Sequence, residues 1–294
     1  MLGAHGLTRQ YAEVRAVDDV TFEVPAGKMI GFVGGNGAGK TTTMRMLMGV
    51  LAPTAGDVSW DGRPVTRADR TRFGYMPEER GLYPKQGVLD QLTYLGRLHG
   101  MSQHDAQGRA RSLLERFGLG ERLKEKVEKL SLGNQQRAQI IAAVLGDPLA
   151  LILDEPFSGL DPAAVDQMAD LLREHTANGV PVLFSSHQLD LVDRLCDGIV
   201  VLHKGRVVAS GTSEELRGSA PLRYVLSLTA DAGWVRGVPG VRVLDLDGAT
   251  VQLEPETEEV AQRLLTEAVS RGGVREFSRV RPSLSEIYRE VAAA

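Results

Sequence analysis

The sequence has almost no cysteine: Cys196 is the single one among 294 residues. One thiol cannot form an internal disulfide, so stability must come from a hydrophobic core, and the composition suits a reducing compartment. Positive charge is not in surplus either. The 34 Lys and Arg stand against 38 Asp and Glu, a formal net charge of −4. Binding a phosphate backbone draws on a basic face, so no nucleic-acid partner is expected. Long apolar runs are also missing. The most hydrophobic stretch, residues 140–153, is broken at Gly146-Asp147-Pro148 and is shorter than the roughly 18 residues a spanning helix needs. The first ten residues show no charged-then-apolar leader pattern. The expectation is a chain with no segment inside a membrane.

What is present is ordinary globular material, 43% hydrophobic and 24% charged, in a length that suits one large domain and one small one. Apolar and β-branched runs alternate with helical patterns up to about residue 215, which predicts an α/β fold. Strands are expected over 14–24, 29–33, 149–153, 182–185 and 199–202, with helices over 40–48 and 162–176. Between 87 and 118 the pattern turns helical, with Leu89, Leu92, Leu95 and Leu98 spaced to share a face. Near Gly218 to Pro221 the organisation changes, and a strand–helix–strand–strand–helix–strand order follows, with a hairpin signal at Asp247-Gly248. The expected division is a domain over 1–217, with a helical subdomain over about 87–146, and an accessory domain over 218–294.

The strongest motif is Gly34-Gly35-Asn36-Gly37-Ala38-Gly39-Lys40-Thr41, followed by Thr42. It matches G-x-x-x-x-G-K-[ST] between a strand and a helix. Glycines let backbone N–H groups turn inward around phosphate oxygens, and the helix N-terminus adds positive partial charge. Lys40 is placed for the β- and γ-phosphates of ATP, and the Thr41 hydroxyl is a hard oxygen ligand for Mg²⁺. The run Leu149-Ala150-Leu151-Ile152-Leu153 delivers Asp154 and Glu155 at a strand's C-terminal end, where α/β sheets bind ligands. Asp154 suits the Mg²⁺ shell, and Glu155 suits polarising a water.

Together these motifs make the chain resemble the nucleotide-binding subunits of ABC transporters over roughly residues 1–215. Leu130-Ser131-Leu132-Gly133-Asn134-Gln135-Gln136-Arg137 lies where the family signature L-S-G-G-Q falls. Ser158-Gly159-Leu160-Asp161 is similar to the D-loop, and His187 after Phe184-Ser185-Ser186 is similar to the switch histidine. Tyr11 stands where the family stacks a ring on adenine. Two departures are plain: Leu132 and Asn134 replace a glycine and a glutamine of the signature, and Glu78 stands where the family has a glutamine near Mg²⁺.

The resemblance implies a P-loop NTPase of the ABC type with a helical subdomain, followed by a small α+β, ferredoxin-like C-terminal domain. It implies binding and hydrolysis of ATP with Mg²⁺ in a head-to-tail dimer, where Ser131 and Gly133 of one copy face the γ-phosphate held by the other. Asp161 of the D-loop is implied among the nucleotide-binding residues, and His187 senses the γ-phosphate. The segments 73–84 and 282–288 resemble an exporter branch for sodium, drugs or antibiotics. Its permease is a separate chain, so the subunit would sit on the inner face of the cell membrane. A soluble ABC ATPase that drives no transport and a regulatory ATP-binding module are the competing readings. The single phosphate loop, and the absence of heptads and cysteine clusters, weigh against the first.

Overall fold

The computed structural model describes residues 1–79, 81–218, 221–281 and 283–293. Arg80, Ser219, Ala220, Pro282 and Ala294, which the readings of 73–84, 218–221 and 282–288 and the accessory domain include, lie outside the described residues. The chain forms two compact units, Met1–Ser213 and Glu214–Ala294.

In the first unit the elements run β1 (Leu2–Tyr11), β2 (Val14–Val24), β3 (Met29–Val33), α1 (Lys40–Leu47), β4 (Ala55–Trp60), β5 (Arg63–Pro64), α2 (Arg67–Arg70) and β6 (Phe73–Met76). Then come α3 (Val88–Leu98), α4 (Gln103–Arg116), α5 (Leu132–Val144), β7 (Ala150–Leu153), α6 (Pro162–Ala177), β8 (Val182–Ser186), α7 (Leu189–Leu195), β9 (Gly198–His203) and β10 (Arg206–Gly211). A helix α8 (Ser213–Gly218) follows.

One sheet has the order β2-β1-β4-β5 and the other β10-β9-β3-β8-β7-β6. In the second, β9, β3, β8, β7 and β6 run parallel, and β10 returns antiparallel at one edge. Parallel strands covered on both faces must be apolar throughout. Every residue of β3, β7 and β8 is buried. Phe22, Phe32, Met44, Trp60, Ile152 and Leu183 belong to one core joining both sheets to α1. Because β3, β8 and β7 are neighbours, the loops at their C-terminal ends converge.

The helical stretch between 87 and 118 divides into α3 and α4. Leu89 and Leu92 are buried, but Leu98 is 66% exposed. Three-residue spacing lags the helical turn, so nine residues on from Leu89 the side chain points to the opposite face. The strands β1, β4, β6 and β10 are not marked by the sequence pattern. Among the described residues, no helix is long and apolar enough to cross a membrane.

The second unit holds β11 (Arg223–Leu228), β12 (Val241–Asp247), β13 (Thr250–Pro255), α9 (Glu258–Ser270), β14 (Val274–Val280) and α10 (Leu284–Ala293). Its sheet is antiparallel with the order β12-β13-β11-β14. That is the ferredoxin-like order, with the first helix reduced to the 3₁₀ turn Gly233–Gly237. Leu226, Val251 and Leu253 pack with Ala261 and Leu264 of α9. The hairpin loop is Gly248-Ala249, closed by Asp247 opposite Thr250, one residue later than the dipeptide signal predicts.

Candidate functional site

The loop after β3 reaches α1 through Gly39, whose φ of +103° favours glycine. A Cβ there would also lie 2.7 Å from the Ala16 carbonyl, so no larger residue fits. Lys40 is buried at the first turn of α1, and its Nζ donates to the carbonyls of Gly34 (2.7 Å) and Gly35 (3.3 Å). Thr41 Oγ1 donates to Glu78 Oε2 over 3.1 Å, which brings the second residue past β6 to the phosphate loop.

Asp154 leaves β7 almost wholly buried, at 1% exposure. Its Oδ1 accepts from Ser185 Oγ at 2.5 Å, while Oδ2 is buried with no protein partner. An unpartnered buried carboxylate oxygen is costly unless a cation meets it. Thr41, Glu78 and Asp154 offer only hard oxygen donors, the set that suits Mg²⁺. Among the described residues no three His, Cys, Asp or Glu side chains converge to hold a metal by themselves. A cation here would complete its shell from phosphate and water.

Glu155 is the next residue, and its backbone is left-handed, with φ of +51°. Its N–H donates to Ser185 Oγ (2.8 Å), and its Oε2 lies 3.0 Å from His187 Nδ1. Burial pushes the Glu155 carboxyl above the usual glutamate range. The His187 hydrogen bond and the charges of His187 and Lys40 pull the other way. A carboxylate so placed can take a proton from water, and the histidine beside it can steady the charge.

These groups face one cavity of about 820 Å³, lined among others by Gly37, Lys40, Thr41, Glu78, Asp154, Glu155 and His187. Its size suits a nucleotide-scale ligand. Asn36, Ala38, Gly39 and Thr42 also line it, as does Ala16 of β2.

Six predicted residues stand outside that lining: Gly34 and Gly35, whose carbonyls accept from Lys40, and four that lie further off. Tyr11 is 44% exposed, with the Arg9 guanidinium 4.6 Å from its ring centroid. Ser131 is exposed and caps α5, its Oγ accepting from the Asn134 N–H at 3.3 Å. Gly133 packs beside the Gly159 carbonyl, which a Cβ would approach to 3.2 Å. Asp161 caps α6 through the Ala164 N–H (2.8 Å) and lies 3.7 Å from Arg137.

Comparison with known proteins identifies the family. The ABC transporter family model matches residues 17–158, and a model for the C-terminal domain of DrrA1-3-like ATP-binding proteins matches residues 211–292. The ABC transporter ATP-binding protein YhaQ of Bacillus subtilis is 40% identical over 100% of this chain and 99% of its own length. The chain belongs to the ABC transporter ATP-binding proteins. The daunorubicin resistance ATP-binding protein DrrA3 of Streptomyces coeruleorubidus is 32% identical across 96% of this chain and 93% of that protein. A solved structure, the ATP-binding subunit of an ABC transporter, superposes with a TM-score of 0.68 at 35% identity, covering 74% of this chain and 92% of that one.

In this ABC protein, Ser185 and Gln136 are two site residues to which the sequence reading assigns no role. Ser185 contacts Asp154 and Glu155 from 31 and 30 residues away. Gln136 Nε2 donates to the Glu155 carbonyl from 19 residues away. Contacts at that separation leave no local pattern to read. Ser185 precedes His187 by two positions, and Gln136 lies in the signature run, which is the only signal the sequence offers.

Proposed function

We propose that this ABC ATP-binding protein hydrolyses ATP to drive export through a separate membrane permease. The observation that carries the reading is the convergence of Lys40, Thr41, the free oxygen of Asp154 and the His187-paired Glu155 on one cavity. The backbone N–H groups of residues 34–39 and the helix N-terminus at Lys40 and Thr41 cradle the triphosphate, and Lys40 neutralises its outer phosphates. Thr41, Asp154 and Glu78 would hold Mg²⁺, which would supply positive charge at the phosphate oxygens. Glu155 accepts the proton of the attacking water, and His187 orients that carboxylate and meets the γ-phosphate.

The catalytic unit is a head-to-tail pair of copies. Ser131 and Gly133 head α5 and do not line their own cavity. The Ser131 oxygen caps the helix, and its exposed hydroxyl hydrogen can donate to a phosphate in the cavity of a second copy, with Asp161 at the same junction. Tyr11 lies at the base side of the nucleotide. ATP binding closes the pair, and hydrolysis reopens it. Such a subunit works on the inner face of the membrane, held there by its permease. Export is favoured by the likeness to the daunorubicin resistance protein over nearly the whole chain.

Glu155→Gln tests the reading. The amide fills the same space and cannot take the proton, so turnover is expected to fall about 10²- to 10⁴-fold with ATP binding retained. ATP-dependent dimers are then expected to accumulate, visible by size-exclusion chromatography. Wild-type hydrolysis by this variant removes Glu155 as the base. Purification from native membranes is expected to bring a hydrophobic permease with the protein.

A further inference from the structure

The Glu155 peptide is gripped on both sides by side chains. Its φ of +51° is a conformation that a glutamate rarely adopts, and it persists only where the surroundings hold it. On the N–H side stands Ser185 Oγ at 2.8 Å, from the strand next to β7. On the carbonyl side stands Gln136, whose Nε2 donates to the carbonyls of Glu155 (2.8 Å) and Pro156 (2.9 Å). The side chain is buried, with 8% of the residue exposed, and its amide bridges two successive peptides, which fixes its rotation.

The two grips differ in what they are attached to. Ser185 belongs to the sheet that carries Asp154 and Glu155. Gln136 belongs to α5, the helix capped by Ser131. Its neighbour Gln135 donates back to the Leu130 carbonyl at 2.8 Å, bracing the turn on which Ser131 sits. A rigid helical turn therefore joins Ser131 to the peptide that aims the Glu155 carboxylate.

We propose that Gln136 is a positioning residue that ties the aim of Glu155 to the placement of α5. Seating Ser131 on a phosphate of the second copy then brings the base to its working orientation. The inference rests on the reading of Glu155 as base and of Ser131 as a group acting on the partner copy's nucleotide. A base displaced by about 1 Å loses roughly 10²-fold in rate, so a small shift of this peptide suffices to license or withhold hydrolysis.

The test is Gln136→Met, which keeps the length and removes the N–H. The expected result is a kcat lower by about 10- to 100-fold, with KM for ATP within about twofold of wild type. Combined with Glu155→Gln, the same change is expected to lower the residual rate less than about threefold, because in this reading Gln136, although it also lines the cavity, acts through Glu155. The ATP-dependent dimer of that double variant is expected to match the Glu155→Gln dimer in stability. Gln136→Asn keeps the amide but falls a methylene short. It is expected to behave like the methionine variant, and it carries the test if that variant does not fold. A kcat within twofold of wild type overturns the proposal. So does an equal loss in both backgrounds, or a weakened dimer, either of which marks Gln136 as ordinary packing. Wild-type turnover by Glu155→Gln alone is a separate outcome that removes the underlying reading of the base.

Discussion

His187 reaches Glu155 across two neighbouring strand ends, its Nδ1 3.0 Å from Glu155 Oε2. The glutamate side chain is 14% exposed and the histidine 58%. The buried partner therefore bears the desolvation, and the exposed one relieves part of it.

That asymmetry predicts a pH profile. Burial raises the Glu155 carboxyl above its ordinary range, and His187 is the first group that opposes the rise. The acid limb of kcat/KM, which reports the free enzyme, is expected at higher pH than an ordinary glutamate gives. In His187→Ala the opposing hydrogen bond and charge are gone, so the limb of the residual activity is expected to move further up. A limb that stays in place or moves down shows that the pair does not set the ionisation of the base. The stability effect has a definite sign. As pH rises from the unfolded toward the folded pKa, the unfolded chain loses its proton first, so this residue's contribution to stability falls across that window. Glu155→Gln is expected to flatten that part of a plot of Tm against pH.

How far the sequence discloses such a site depends on how local each contact is. The phosphate loop is legible because Gly39, Lys40 and Thr41 act through their own turn, where residue type fixes backbone shape. Asp154 and Glu155 are legible because a run of buried apolar residues must end somewhere, and in this fold it ends at the cavity. Ser185 and Gln136 are not legible, since a serine on a strand and a glutamine on a helix acquire meaning only when β8 and α5 are packed against β7. The strand β1 is hidden for a related reason. Leu2 pairs with Val24 on one side and Trp60 on the other, partners that sequence periodicity does not connect. Leu98 shows the reverse error, a leucine pattern that suggests burial where helical geometry turns the side chain outward.

The exposed cap of α5 predicts complementation between defective copies. Ser131→Arg is expected to leave ATP binding by one copy nearly unchanged, because Ser131 does not line its own cavity, while the added bulk blocks the second copy. Lys40→Ala is expected to lose binding, since the triphosphate loses its main compensating cation. Each variant alone is then inactive. Mixed in equal amounts, half of the dimers pair one of each, and each such dimer holds one intact composite site of two. Independent sites would thus restore up to about a quarter of the wild-type rate. Full activity from Ser131→Arg alone contradicts the composite site.

The last prediction separates the two compact units. Every predicted site residue, from Tyr11 to His187, lies in Met1–Ser213. That unit has its own core around Phe32, Met44 and Leu183, and Glu214–Ala294 has another around Leu226, Leu253 and Leu264. The second unit has no second G-x-x-x-x-G-K-[ST] motif in its sequence. It does offer edge strands, β12 and β14, whose outer backbone groups suit pairing with another chain. Its outward charges include Arg223 and Arg242, both within reach of Glu254, at 2.8 and 3.4 Å. A chain ending at Gly218 is therefore expected to fold and to bind Mg·ATP with an affinity within about twofold of the full chain, because the first unit carries its own core and every predicted site residue. Isothermal titration with the slowly hydrolysed Glu155→Gln form measures this directly. ATP-dependent dimers of the shortened chain are expected to dissociate at lower dilution than those of the full chain if the edge strands of the second unit pair between copies. A shortened chain that folds, shown by a cooperative melting transition, and fails to bind ATP places part of the nucleotide site in residues 219–294. The division of labour between the two units would then have to be redrawn.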